Sequence, residues 1–386
     1  MKILFVSDTY YPHINGVYYF VCRLGRLLQE KGHQVAIIAP SESINYAKKK
    51  IDGLDVYLMP SLPLRRYRTI RLPSIMLLRI RIHRIIQEFG PDIIHIQDHF
   101  LLCRAAIKLG RDLKIPVIGT NHFMAVNITA FVHGKHLKHG LENFLWHDFS
   151  RVYNQVRIVT TPTEAGASLI RHRLKVDVIA ISCGINLETF NPFGDPGEVR
   201  KKYGIPDKHV LLYVGRIDPE KRIEEILEAV VLAAGKADFC FVVVGKGTSK
   251  AYLEQLSHKL GITDRVIFTG FVPDEELPYV YKLSRCFIIA SIAELLSLVT
   301  LQAMASGLPV IAVNEGALGE LVKDNENGFL YSQGDIPAIV KSITDIISED
   351  DLHRRMSARS LEIVRHHDIF KILDTYEKLY QQYSKT

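Results

Sequence analysis

In the second half of the chain, cations, glycines and one acid fall at the ends of successive apolar runs. VLLYVG (210–215) leads to Arg216 and then Lys221, and FCFVVVGKG (239–247) ends on Gly245 and Gly247. CFIIAS (286–291) runs on to Glu294, and SLVTLQAMASGLPVIAV (297–313) is a helical pattern stopped by Gly307 and Pro309 before another strand. Fixed cations can neutralise a departing phosphate, and glycine lets the main chain come close to it. Ser297, Leu298 and Val299 open a helix whose first N–H groups lack intrahelical acceptors and suit a diphosphate. Ser297 also reads as an ordinary helix cap. Together these residues suit a phosphorylated sugar better than a bare hydrophobe.

Such residues need strands to carry them. KILFVS (2–7), HQVAIIAP (33–40), PDIIHIQD (91–98), IPVIGTNH (115–122) and VRIVTTP (156–162) read as strands. Helical patterns at 16–32 and 72–90 lie among them, and a second strand–helix series runs from about 210 to 333. Apolar strands separated by helices imply parallel sheets covered on both faces. The expected fold class is α/β, with two Rossmann-like doubly wound domains facing a cleft and ligands at the strand C-terminal ends. Residues 1–187 form the first domain and 188–365 the second. The last helix, 366–386, is expected to cross back to the first domain.

The chain has 386 residues, 47% of them hydrophobic and 23% charged, enough for two domains of ordinary size. No apolar run reaches the roughly 20 residues of a membrane-spanning helix, and MKILFVSD reads as a first strand rather than a signal peptide. Five scattered cysteines (Cys22, Cys103, Cys183, Cys240, Cys286) have no metal-site spacing and fit a reducing, cytoplasmic setting. The net charge of +6 is uneven: residues 1–187 hold 25 Lys and Arg against 13 acids, the remainder 23 against 29. The basic first half suits an anionic surface, a phosphorylated ligand or nucleic acid.

The ordered set GRIDPEKR (215–222), VVVGKG (242–247), FTGFV (268–272) and AE followed by SLVTLQAMASGLPVIA (293–312) resembles the retaining glycosyltransferases of family 4, which have the GT-B fold. PHINGV (12–17), HIQDHF (95–100) and TNHF (120–123) fit as well, so the resemblance covers nearly the whole chain. It implies that Arg216 and Lys221 hold the donor phosphates and that Glu294 meets the donor sugar. Gly245, Gly247, Asn15 and Gly16 would then line the donor site, and Phe271 and Val272 would border the nucleotide base. The family has a second glutamate eight residues after the first, which holds the ribose hydroxyls; here Gln302 stands there. An amide can bind hydroxyls but is not an anionic acceptor. The family glycine near Ser297 is also absent.

His122, at a strand end, matches the family histidine near the reacting sugar, and an imidazole there could orient a hydroxyl or shift a proton. Asp98 and His99 could bind acceptor hydroxyls. No Asp-x-Asp pair occurs, so no metal and no other cofactor is expected beside the nucleotide sugar co-substrate. LPLRRYRTIRLPS (62–74) and LLRIRIHR (77–84) hold seven arginines among apolar residues. Arg65, Arg66, Arg68 and Arg71 suit an anionic membrane surface, and the segment resembles that of enzymes that glycosylate diacylglycerol. No nucleic-acid-binding motif accompanies the charge.

The resulting expectation is a metal-independent retaining hexosyltransferase that uses a UDP sugar and a lipid acceptor such as diacylglycerol. Its expected location is cytoplasmic, peripheral on the inner face of the cell membrane. A soluble sugar acceptor, a guanosine donor and a weakly active binding subunit stay open. A nicotinamide-binding protein would need a G-x-G-x-x-G turn after the first strand, which is lacking.

Overall fold

The computed structural model describes residues 1–12, 15–64, 67–73, 77–124 and 135–384. The chain forms two compact units, Met1–Cys183 with Phe370–Thr386, and Gly184–Ile369.

The first unit contains β1 (Lys2–Val6), β2 (Gln34–Pro40), β3 (Ala47–Ile51), β4 (Leu54–Met59), β5 (Ser61–Leu64), β6 (Tyr67–Pro73), β7 (Ile93–Ile96), β8 (Val117–Thr120), β9 (Val159–Thr161) and β10 (Val178–Ala180). Eight of these make one sheet in the order β10-β9-β8-β7-β1-β2-β4-β3. Every pairing is parallel except β3 with β4. The central strands β1, β7, β8 and β9 are buried along nearly their whole length, as apolar runs covered on both faces should be. The edge strand β3 carries exposed Lys48, Lys49 and Lys50, charges that discourage another strand from pairing there.

β5 and β6 form a separate antiparallel ribbon with Leu62 opposite Leu72. This corrects the expectation of a helix from residue 72: Pro73 ends β6, and the helix is Leu78–Phe89. That helix buries Leu78, Ile82, Ile85 and Ile86, the stripe that a 3.6-residue period predicts. Gly90, at φ 63°, closes it with its N–H on Ile86 O.

The helix Ile369–Ser384 supplies the last part of the first unit. Its Tyr376 and Tyr380 are fully buried. Tyr380 Oη lies 2.8 Å from His95 Nδ1, and His95 Nε2 lies 2.6 Å from Thr120 Oγ1. Thr120 Oγ1 is 2.6 Å from Thr160 Oγ1, which is 3.1 Å from Tyr376 Oη. This polar chain ties β7, β8 and β9 to the helix, and burial drives His95 down to about 3, so the ring is neutral.

The second unit contains β11 (His209–Val214), β12 (Phe239–Val244), β13 (Val266–Gly270), β14 (Cys286–Ile289), β15 (Val310–Val313) and β16 (Gly328–Tyr331). All pair in parallel, in the order β13-β12-β11-β14-β15-β16. This is the doubly wound order in which the first strand lies between the second and the fourth, leaving a crevice at the C-terminal ends of β11 and β14. β12 is buried at every position. The helices Ile336–Ser348 and Asp350–Val364 follow. The first of them is capped by Asp335, whose side chain accepts from Ala338 N at 3.0 Å.

Candidate active site

In the second unit the switch point between β11 and β14 brings three side chains together. β11 ends in a tight turn, Pro219–Lys221, which presents Lys221. Lys221 Nζ lies 2.6 Å from Glu294 Oε1 and 3.1 Å from Ser291 Oγ, both beyond the end of β14. The side chains of Lys221 and Glu294 are only 14% and 15% exposed, so the pair is shielded but reachable. An ammonium has three N–H groups. Two are taken here, leaving a third for an outside acceptor such as a phosphate oxygen. Ser291, wholly buried, was not among the expected site residues.

The backbone of Glu294 is gripped from β15. Glu294 O accepts from Ala317 N at 3.0 Å, and a Cβ on Gly316 (φ +58°) would sit 2.7 Å from the same oxygen. A side chain at 316 would therefore push Glu294 away from Lys221.

Arg216 stands apart from this group. Its guanidinium pairs with Asp218 and, at 2.6 Å, with Glu220 Oε1, and its side chain is 65% exposed. Asp218 also accepts from Thr248 N and Thr248 Oγ1, both at 3.0 Å, which joins the β11 and β12 loops.

Gly245 and Gly247 belong to that junction. A Cβ at 245 would lie 1.8 Å from Gly215 O, and one at 247 would lie 2.2 Å from Ile217 O. Close approach of two loops thus requires both glycines before any ligand is considered. Gly16 is the opposite case: a Cβ there would meet no described atom within 4 Å. Asn15 caps the helix Gly16–Glu30 through Tyr18 N and donates to Thr9 Oγ1 at 3.0 Å.

Phe271 is 56% exposed beyond β13, with Lys246 Nζ 5.5 Å from its ring centroid. The Val272 side chain is buried in the core, so only its main chain is left for the expected place beside a base. Ser297 caps the helix Leu298–Ala305, accepting from Thr300 N at 3.3 Å and Thr300 Oγ1 at 2.7 Å. Its hydroxyl is therefore occupied, and the main-chain N–H groups of Leu298 and Val299 are the part of this turn that could meet an anion. Gln302 Oε1 accepts from buried Tyr281 Oη at 2.9 Å, which leaves its NH2 as the free end.

In the first unit, β7 and β8 deliver HIQDHF and TNHF. His122 Nε2 lies 3.1 Å from Gln97 Oε1, with the Phe20 ring 5.2 Å away. Burial lowers His122 to about 4, against the opposing pull of Asp98, so its ring is neutral near pH 7.

The expectation that Asp98 and His99 meet acceptor hydroxyls is not met. Asp98 turns inward and accepts from Asp8 N at 2.9 Å and Phe100 N at 3.3 Å. His99 is wholly buried among the rings of Phe100, Phe123, Phe149 and Tyr153. Burial pushes it to about 4. The register that brings both residues to the strand end was legible in the sequence, but the direction of their side chains was not.

Asp8, Asp98 and Cys103 are the one group of metal-ligand types gathered among the described residues. Asp8 accepts from Leu102 N at 2.7 Å and Cys103 N at 3.1 Å, so it caps a helix. Burial, and then Asp98, hold Asp8 well above the usual carboxylate range. Cys103 donates to Val6 O at 3.3 Å, and burial raises its thiol strongly. These contacts describe a structural cluster with its ligand atoms already engaged.

Of the four arginines expected at a membrane, Arg65 and Arg66 lie outside the described residues, as does the side chain of Arg68. Arg71 holds the ribbon in place through bonds to Ser41 O at 2.7 Å, Glu42 O at 2.6 Å and Ser61 Oγ at 2.8 Å. Among the described residues no helix is long and apolar enough to cross a membrane.

Known proteins give this geometry a family. The profile of glycosyltransferase family 4 matches residues 14–189, and that of glycosyl transferases group 1 matches residues 196–362. The chain is 31% identical to alpha-monoglucosyldiacylglycerol synthase of Streptococcus pneumoniae, over 86% of this chain and 75% of that protein. It is 26% identical to GDP-mannose-dependent alpha-mannosyltransferase of Corynebacterium glutamicum, over 95% of this chain and 85% of that protein. In fold it is similar to sucrose-phosphate synthase of Thermosynechococcus elongatus (TM-score 0.81, 21% identity, 99% and 98% of the chains covered). It is also similar to Anabaena HepE in complex with UDP (TM-score 0.78, 17% identity, 99% and 100% covered). Two doubly wound sheets, the strand-end constellation of Lys221 and Glu294, and these matches together identify the chain as a member of the family 4 glycosyltransferases, with the GT-B fold.

Proposed function

We propose that this glycosyltransferase moves a hexosyl group from UDP to a hydroxyl of a membrane lipid such as diacylglycerol, with retention of configuration and without a metal. The observation that carries the donor half is the Lys221–Glu294–Ser291 group at the β11/β14 switch point. Lys221 offers its remaining N–H to the diphosphate, and Arg216 joins it by exchanging Asp218 and Glu220 for phosphate. Two fixed cations then do the work of a divalent ion. Leu298 and Val299 offer main-chain N–H groups, Gln302 offers its NH2 to ribose oxygens, and exposed Phe271 gives the base a surface to stack on.

The C1–oxygen bond to the diphosphate breaks and a C1–oxygen bond to the acceptor forms on the same face. The acceptor proton goes to the departing phosphate oxygen. His122, neutral at pH 7, takes a hydrogen bond from a sugar or acceptor hydroxyl. The nucleotide is assigned to the second unit and the acceptor to the first.

The lipid half is supported by the relatives from Streptococcus pneumoniae and Acholeplasma laidlawii, both named as monoglucosyldiacylglycerol synthases. It is supported too by the ribbon, where Leu62 and its cross-strand partner Leu72 are 60% and 45% exposed, and by Ile80, 63% exposed on the neighbouring arginine-rich helix. Apolar side chains among arginines suit the headgroup region of an anionic bilayer, and the location that follows is peripheral, on its cytoplasmic face. The GDP-mannose-dependent relatives make guanosine the second choice of base.

The test is incubation with a panel of UDP and GDP sugars in EDTA, with and without diacylglycerol vesicles, followed by mass spectrometry. Lipid-dependent nucleotide release with a glycolipid product is expected. Release without a lipid product would overturn the acceptor assignment, and loss of all turnover in EDTA would overturn metal independence. Binding of donor without any turnover would favour a weakly active binding subunit.

A further inference from the structure

In the reaction proposed above, His122 works only with the right ring nitrogen facing the substrate, and Gln97 is placed to set this. Gln97, the first residue after β7, is wholly buried, and its Oε1 lies 3.1 Å from His122 Nε2. With its oxygen turned to the ring, the Gln97 carboxamide can only accept, and the shared hydrogen then belongs to the imidazole; with the amide turned over, the ring would accept instead. In the orientation shown, Nε2 carries the proton and Nδ1 keeps its lone pair. The other ionisable groups that act on the ring are Asp98, which favours the charged form, and neighbouring His95, which is itself neutral.

The amide end of Gln97 tells against a purely structural role. Its Nε2 is buried with no hydrogen-bond partner. A buried donor left unpaired costs roughly 1–3 kcal/mol, so a methionine of similar length would relieve the fold of a burden. The same methionine would leave the His122 ring nitrogen without its partner, so the glutamine is explained by what it does to that ring rather than by its own amide.

We propose that Gln97 is a positioning residue for sugar transfer, holding His122 as the Nε2–H tautomer so that Nδ1 accepts a hydrogen bond from a substrate hydroxyl. This rests on the transfer reaction above for its use, though not for its geometry.

The first measurement needs no substrate. Ring nitrogen NMR of the full chain near pH 7, with the His122 signals assigned by their loss in His122→Gln, should show a protonated Nε2 and an unprotonated Nδ1. The opposite tautomer, or a mixture of the two, overturns the proposal even if sugar transfer is confirmed. The predicted pattern in a protein that transfers no sugar would overturn the reaction and leave the geometry standing.

Two variants then test use. Gln97→Glu places a carboxylate against the ring, which should raise the acid limb of the rate profile by about one to three pH units. Gln97→Met exchanges one unpaired buried donor for another, so its melting temperature should change little, while kcat falls about tenfold with donor KM unchanged. Equal losses in both variants with an unmoved acid limb would reduce Gln97 to packing. If either variant fails to fold, the wild-type spectrum still decides the tautomer.

Discussion

In both sheets the strand order turns at a switch point between parallel neighbours, β1 and β7 in the first unit and β11 and β14 in the second, yet the side chains gathered there differ in charge. The second unit places a cation and a carboxylate in contact with limited exposure, Lys221 on Glu294. The first places a neutral imidazole on a carboxamide, and beneath it an inward-facing pair of aspartates. The same topology therefore prepares two electrostatic settings. One is a paired cation and carboxylate, which the proposed reaction uses for the leaving diphosphate; the other is an uncharged ring and amide, which it uses to orient hydroxyls. Local burial, rather than strand order, decides which.

Removing the charge from the second setting should have the largest effect. Lys221→Ala leaves Glu294 without its cation and the diphosphate without its donor, and kcat should fall by roughly 10²–10³. A loss below tenfold in initial rates would mean that the charged pair is not the centre of the reaction. Stability addresses the same unit differently. Gly247→Ala forces a methyl group against Ile217 O and should cost about 1–3 kcal/mol in thermal or urea unfolding, with wild-type stability arguing against the close loop approach.

Acid should act on the first setting. The folded state holds His95 near 3 and both His99 and His122 near 4, below the ordinary 6.5. Between those values the unfolded chain binds more protons, so stability should fall as pH drops below about 6.5, by up to 1.36 kcal/mol per pH unit for each histidine. Asp8, raised when folded, acts in the opposite sense as pH climbs above its unfolded value of 3.8. His95→Asn should flatten the histidine slope by about one proton's share, and an unchanged slope would show that His95 is not held neutral. The smallest effect is expected at Gln302: Gln302→Ala should raise donor KM about tenfold, near 1.4 kcal/mol, with Gln302→Glu close to wild type. Equal KM for all three would remove Gln302 from the donor site.

The sequence made Lys221 and Glu294 legible because each follows its own apolar run within a few residues. Their partner Ser291 was visible as the last letter of a strand but carried no sign of its contact. That contact depends on the pairing of β11 with β14, about 70 residues apart. Gln97 and Tyr281 were missed for the same reason, since a buried polar residue shows its use only through its neighbour. Asp98 and His99 were misread because strand position gives proximity while loop geometry gives direction. The helix expected from residue 72 starts at Leu78, and the basic segment before it is a strand, since arginines among apolar residues fit a strand period and a helix period equally well.

The contact of His95 with Tyr380 joins residues 285 positions apart, with the whole second unit between them. On the ribosome, the sheet of the first unit is made early, yet the tyrosines that satisfy His95 emerge only after every strand of the second. Domains generally fold in the order of their synthesis, at about 5–20 residues per second. Here the first-made sheet lacks those tyrosines until the last helix is made, and a chain truncated after residue 369 should carry a first unit with His95 unsatisfied.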